Sequence, residues 1–363
     1  MIQPDQPAPL HFYAGERALA HIRERGLAPG DISMIPGAAG GPKALGLLGL
    51  DRVLFGDWLQ REPRKRWLIG SSIGSWRFAA ACLPDPVAGL ERLAELYTAQ
   101  RFPKGVTAGQ ITQQCQQMLK DLLQGQEAQV LHQEAYRLNV MVNPSRGLAA
   151  SDSRSLLSLG LLGVVMANTL HRSLIRTGFE RVVMHDAREK PPLGAFTDFP
   201  GRYAELSREN LQDALLASAS IPMVMKAVPE IAGVAGRQFR DGGLTDYHLD
   251  LPYQSDGVVL YPHFTERVVP GWFDKTLPWR QGSPERLRDV VLVAPSPAYL
   301  AGLPDGRLPD RRDFKVYEGD DDTREKHWRQ AMDESRRLGD YFMACVESGR
   351  LAGQVRPLSE LPG

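Results

Sequence analysis

The chain has 363 residues and little cysteine: Cys82, Cys115 and Cys345 are the three present. Their number is odd and no two share Cys-x-x-Cys spacing, which argues against a disulfide framework and against a cysteine zinc site. Sparse cysteine suits a reducing compartment, and the expected location is cytoplasmic. There is no charge excess, since 43 Lys and Arg balance 43 Asp and Glu. A nucleic-acid partner would ask for a basic surplus and is not expected. There is no membrane-spanning apolar run. The longest apolar-rich stretch, 156–170, is shorter than the roughly 20 residues a helix needs to cross a bilayer, and Ser158, Asn168 and Thr169 interrupt it. Met1-Ile2-Gln3-Pro4-Asp5 lacks the basic-then-apolar pattern of a secretory leader. No internal repeat and no low-complexity tract is found, and no linker divides the chain. The hydrophobic share, 43%, is that of an ordinary globular protein.

What is present is a succession of strand, loop and helix signals. Residues 1–12 read as a Pro-rich, poorly ordered arm. A helix is expected over 16–25, closed by Gly26, and a buried strand over 32–35. The glycine-rich run 36–46 follows, and then helical spacing over 45–59. Residues 61–66 form a charged surface connection to the next strand, beginning at Trp67. Further helices are expected at 76–82, 87–100, 107–123, 152–177, 208–218 (capped by Ser207) and 322–348. Strands are expected at 136–142, 181–184, 238–240, 257–261, 290–293 and 314–317, and a loop at 197–203. Strand–loop–helix units in succession predict a three-layer α/β/α sandwich with a mostly parallel central sheet.

The sequence Trp67-Leu68-Ile69-Gly70-Ser71-Ser72-Ile73-Gly74-Ser75-Trp76 is the form of a nucleophile elbow: an apolar strand, Gly-x-Ser-x-Gly, then a helix. Gly70 and Gly74 are needed where the chain passes too close for a Cβ. Ser72 is the candidate nucleophile, and Ser71 is read as structural. In Ala39-Gly40-Gly41-Pro42-Lys43-Ala44, a phosphate-binding loop fails because Pro42 precedes Lys43 and no hydroxyl follows it. A dinucleotide fingerprint fails on glycine spacing. An oxyanion hole remains, with backbone N–H groups aimed at one point ahead of a helix. A serine hydroxyl needs a base, and Arg240-Asp241-Gly242-Gly243 supplies a carboxylate at a strand end. Three histidines, His248, His263 and His327, follow Asp241 in an order compatible with a Ser–Asp–His triad.

The glycine loop with a basic residue, Gly-x-Ser-x-Gly, Ala217-Ser218-Ala219-Ser220-Ile221-Pro222 and Asp241-Gly242-Gly243 stand in one order. In that order they resemble the patatin-like phospholipases, over roughly residues 31–262. The resemblance implies a Ser–Asp dyad in place of a triad, with Ser72 the nucleophile and Asp241 its base. It implies an oxyanion hole on the amides of Gly40, Gly41 and Ile73, with Lys43 fixing the loop or favouring an anionic group. Ala39 and Ala44 depart from the family's glycines, and Pro42 has no N–H to give. The implied activity is hydrolysis of lipid or other carboxylic esters through an acyl-enzyme, with neither cofactor nor metal. An acyltransferase or thioesterase on the same dyad is the alternative enzyme. A non-catalytic lipid-binding or scaffold protein is the alternative of another class. The implied partner is a lipid or ester substrate, with peripheral membrane contact an option. The domain reading is an arm and helix at 1–30, a catalytic domain at 31–262 and an extension at 263–363 packed on it.

Several residues have plainer readings. His185-Asp186 reads as a hydrogen-bonded core pair, and Asp246 as a loop carboxylate satisfied by backbone. Trp76 and Phe78 read as core, with a second role lining an acyl groove. The run 156–170 reads as a core helix, with docking on lipid as its alternative.

Overall fold

A computed structural model describes residues 7–362. Ten strands form one sheet: β1 (Leu10–Ala14), β2 (Ile32–Gly37), β3 (Arg66–Ser71), β4 (Tyr136–Pro144), β5 (Arg181–Asp186), β6 (Gly201–Leu206), β7 (Phe239–Asp241), β8 (Val258–Pro262), β9 (Val290–Pro295) and β10 (Val355–Pro357). Their order is β10-β1-β9-β8-β2-β3-β4-β5-β6, with β7 joined to β4. The pairs β1–β9, β4–β5 and β4–β7 are antiparallel and the others are parallel. This is the mixed, mostly parallel sheet flanked by helices that the strand–loop–helix alternation predicts. Its central strands are buried along their whole length, so they read as near-continuous apolar runs without alternation.

The helices of the first two thirds are α1 (Glu16–Arg25), α2 (Leu48–Gly56), α3 (Ile73–Ala81), α4 (Pro86–Thr98), α5 (Ala108–Leu123), α6 (Glu127–His132), α7 (Arg154–Leu170) and α8 (Leu211–Ser218). α9 (Pro297–Ala301), α10 (Asp313–Val316), α11 (Asp321–Glu334) and α12 (Arg336–Glu347) follow. A buried ion pair ties α2 to α3: Arg77 Nε lies 2.7 Å from Asp51 Oδ2. Burial pushes the Asp51 carboxyl up to about 6 despite this partner.

Several expectations are corrected. Residues 10–12 belong to β1, between β9 and β10, so the arm is shorter than read; residues 1–6 lie outside the described residues. Residues 201–203 begin β6, an edge strand half open to solvent whose polar sequence hides it. Residues 314–316 belong to α10 and Tyr317 to the turn that follows it, because Asp313 accepts the Asp310 N–H and the Trp328 indole N–H and so turns the chain there. The helix expected over 322–348 is broken at Ser335. That hydroxyl donates to Met332 O and accepts from Gly49 N, where α2 crosses closely. The helical region 152–177 breaks at His171, whose backbone is extended. The 45–59 segment divides into a 3-10 turn, α2 and a second 3-10 turn.

α7 is not a core helix. It buries Leu157, Val164 and Asn168. It turns Leu156, Leu159, Leu162, Met166 (62% exposed) and Leu170 (81% exposed) outward. Its inner face packs on a small satellite cluster that includes Ile175, Phe179 and Phe273, set apart from the main core. One narrow stripe suffices there, and none of the described residues covers the remaining apolar ones.

Candidate active site

β2 and β3 are parallel neighbours, with Pro36 paired to Ile69 and Gly37 to Gly70. Their C-terminal ends therefore place the glycine loop and the elbow side by side. Ser72 sits at the apex with φ 55° and ψ −127°, a conformation that L-residues rarely adopt. The two glycines make room for it. A Cβ on Gly74 would overlap the Gly37 carbonyl, and one on Gly70 would overlap the backbone of Ser75.

β7 pairs antiparallel with β4 and ends at Asp241, opposite Val142. Ser72 Oγ donates to Asp241 Oδ2 at 2.9 Å. Asp241 Oδ1 accepts the Gly243 N–H at 2.7 Å. Both side chains are buried, at 4% and 6% exposure. Burial pushes the Asp241 carboxyl up to about 6, against the lowering effect of its hydrogen bonds. No histidine stands between them. His248 and His263 are buried together, with ring centroids 4.3 Å apart, and burial holds both imidazoles neutral. His327 bonds Tyr317. A Ser–Asp–His triad is therefore not assembled.

Sequence reasoning quoted Ser218 and Ser220 without giving them a task. Ser218 Oγ accepts the Ser72 N–H at 2.9 Å and lies 2.9 Å from Ser75 Oγ. Ser220 O accepts the Asp241 N–H at 3.1 Å. One turn at the end of α8 thus grips both halves of the Ser72–Asp241 pair. Asn143 on β4 donates to Asp241 O at 2.7 Å. No local pattern marks their task, since the Ser72 amide lies 146 positions from Ser218 in sequence.

Gly40, Gly41, Ile73 and Lys43 also come to this place. Gly41, Ser72 and Ile73 line one cavity of about 320 Å³, and Gly40, Lys43, Ser72 and Asp241 line another of about 360 Å³. Among the described residues, the Gly40, Gly41 and Ile73 N–H groups have no backbone acceptor. The Ala39 N–H is taken by Tyr247 O at 2.9 Å. Lys43 Nζ lies 3.5 Å from Asp310 Oδ2 and 5.1 Å from the Phe264 ring centroid. The first cavity is largely apolar, with Trp76, Phe102, Met118, Met225 and Phe314 on its wall. Phe78 does not reach it and packs against Phe55.

A family model described as Patatin-like phospholipase matches residues 47–248. The chain belongs to the patatin-like phospholipase family. That is a family of lipid ester hydrolases, and its matched region spans Ser72, Asp241 and the α8 turn. No curated protein sequence significantly matches the chain. No helix among the described residues is long and apolar enough to cross a membrane.

Two plainer readings are settled by geometry. His185 Nδ1 bonds Asp186 O at 2.8 Å, and the Asp186 carboxylate pairs with Arg188. Asp246 is held by Arg181 through two hydrogen bonds of 2.7 and 2.8 Å and by the Thr245 hydroxyl at 2.7 Å. The expectation of a backbone-satisfied carboxylate missed a charge partner 65 residues away in sequence.

Proposed function

We propose that this protein is a serine acyl hydrolase for lipid or related carboxylic esters, working through a Ser72–Asp241 dyad. The observation that carries this is the direct 2.9 Å bond between Ser72 Oγ and Asp241 Oδ2, buried and open to two cavities. Asp241 takes the hydroxyl proton as Ser72 Oγ attacks the ester carbonyl carbon. The carbonyl oxygen becomes an oxyanion held by the N–H groups of Gly40, Gly41 and Ile73. The C–O bond then breaks, and the proton passes from Asp241 to the departing alcohol. Water attacks the acyl-enzyme, gives its proton to Asp241, and the fatty acid leaves as Ser72 regains the proton. A carboxyl near 6 is a better base at neutral pH than one near 4. The apolar cavity suits the acyl chain.

We read residues 31–262 as the catalytic unit and 263–363 as an extension that completes its cavities with Asp310, Arg311 and Phe314. Three free, buried cysteines support a cytoplasmic location. The outward apolar face of α7 supports peripheral contact with a lipid surface. Leu161 of α7 and the exposed Trp272 border the cavity that holds Asp241, so a face laid on lipid would bring the site to its substrate.

The test is hydrolysis of short- and long-chain p-nitrophenyl esters by wild type and Ser72→Ala. Turnover that disappears with Ser72 supports the hydrolase. Equal turnover by both proteins contradicts it. Product analysis with added alcohols or CoA thioesters separates hydrolysis from acyl transfer.

A further inference from the structure

Most of the deeply buried arginines in this protein face a carboxylate. Arg77 pairs with Asp51, Arg181 with Asp246 and Asp198, and Arg172 with Asp274. The cavity beside Asp241 breaks that habit. Lys43, Lys275 and Arg311 all line it, against Asp310 and Asp241, and Asp241 is engaged by Ser72. Lys275 Nζ lies 3.1 Å from the Tyr247 hydroxyl and 4.4 Å from the Tyr247 ring centroid, with no carboxylate partner among the described residues. Arg311 lies where the two cavities meet, beside Gly41, and its guanidinium has neither hydrogen bond nor ion pair among the described residues. Lys43 shares Asp310 at 3.5 Å.

Like charges held around a partly closed cavity repel one another, and a bound anion relieves that repulsion. The Lys275 ammonium registers it: burial, then the Lys43 and Arg311 charges, push it down to about 8. The apolar cavity offers no cations of its own except Arg311 and Lys315 at its rim. Apolar side chains line both cavities, and the one beside Asp241 adds Lys43 and Lys275 to the Arg311 they share. Lys275 and Arg311 lie in the C-terminal third, beyond residues 47–248 that the family model matches.

We propose that Lys275 and Arg311, with Lys43, form an anion subsite that receives a phosphate group on the alcohol part of the ester cleaved at Ser72. The proposal rests on the hydrolase reading above. Three donors converging on one space suit a tetrahedral polyanion, which accepts several charge-assisted hydrogen bonds at once. The acyl chain then lies among Trp76, Met118 and Phe314, and the phosphate lies toward Tyr247. Lys275 and Arg311 are specificity residues; they act on the leaving-group side and take no part in proton transfer.

The experiment compares kcat/KM for 1-octanoylglycerol 3-phosphate with that for 1-octanoylglycerol, both below their aggregation concentrations. Wild type is expected to favour the phosphate ester, and Lys275→Gln and Arg311→Gln each to reduce that ratio about tenfold, the effect of losing one charge-assisted hydrogen bond. Lys275→Arg is expected to restore most of it. In a Ser72→Ala background, calorimetric binding of the phosphate ester should weaken by a similar factor on Lys275→Gln, without any turnover. Competition by inorganic phosphate would show that the subsite reads phosphate itself. Competition by glycerol 3-phosphate alone would show that it reads the whole headgroup. A Ser72-dependent enzyme whose ratio is the same in wild type and variants, with no competition by either anion, overturns the subsite and leaves the hydrolase intact. Absence of any Ser72-dependent turnover overturns the hydrolase reading instead.

Discussion

Ser72 holds a left-handed φ that costs on the order of 1–3 kcal/mol for such a residue, and the surrounding bonds must keep it there. Ser218 is the clearest of these, accepting the Ser72 N–H and touching Ser75 Oγ. Ser218→Ala should leave the Ser72 amide without its partner. The expected outcome is a fall in kcat of about tenfold with KM little changed, as for loss of one positioning bond. A rise in KM alone would place Ser218 in substrate contact instead. Asp241→Asn keeps the shape and removes the proposed base, and kcat should fall by about three orders of magnitude or more. In wild type the acid limb of kcat/KM should have an apparent pKa near 6, because the proposed base, Asp241, must be ionised to act. A limb near 4 would mean that Asp241 is not the titrating base. At this scale much was legible. Gly70, Ser72 and Gly74 have a spacing that only a tight turn explains, and Asp241-Gly242-Gly243 completes a known order. Ser218 was not assigned, because a hydroxyl bonding a backbone amide 146 positions away leaves no local pattern.

Among the elements, α7 separates composition from environment. A 17-residue helix with no charge after its first residue reads as core. Packing decides otherwise, since a satellite cluster covers only one narrow stripe of it. Introducing Leu159→Glu and Met166→Glu together should leave Tm nearly unchanged, because both side chains are already exposed. Co-sedimentation with neutral phospholipid vesicles should fall, each lost apolar contact being worth about 1.5–3 kcal/mol when fully buried in lipid. Unchanged vesicle binding would remove α7 from the lipid surface. The same contest explains β6 and α10. The edge strand β6 carries Arg202 and Glu205, so it lacks an apolar signature. The sequence Phe314-Lys315-Val316-Tyr317 alternates like a strand, yet Asp313 at the start of α10 caps a turn. Strongly periodic or glycine-marked segments declare themselves, whereas edges and short capped turns depend on partners distant in sequence.

For the molecule as a whole, the site is built against stability. Asp51, Asp241 and Asp250 all have carboxyls raised to about 6 by burial. A raised folded-state value means the fold binds protons more tightly than the unfolded chain. Its contribution to stability is therefore fully present below about pH 4 and is lost as pH rises through about 6. Asp198 runs the other way, since Arg181 and Arg172 hold it well below the usual carboxylate range; its contribution is lost only in stronger acid. The three aspartates therefore contribute more as pH falls from 7.5 to 5, opposed over the same interval by His248 and His263, which stay neutral in the fold and gain protons only on unfolding; kcat/KM falls as Asp241 protonates. Asp241→Asn should raise Tm at pH 7.5 by more than at pH 5, since the buried charge at Asp241 costs on the order of 3 kcal/mol at the higher pH. Equal Tm values for wild type and Asp241→Asn at pH 7.5 would contradict this cost of the buried charge.

The most direct measurement is covalent. Folded wild-type protein is treated with a fluorophosphonate probe, its mass is recorded intact, and the adduct is located by peptide mapping. The account predicts one adduct per chain, on Ser72, formed more slowly as pH falls through 6 and absent in Ser72→Ala. A well-folded protein that takes up no probe, or takes it up elsewhere, would contradict the central claim that Ser72 is the nucleophile.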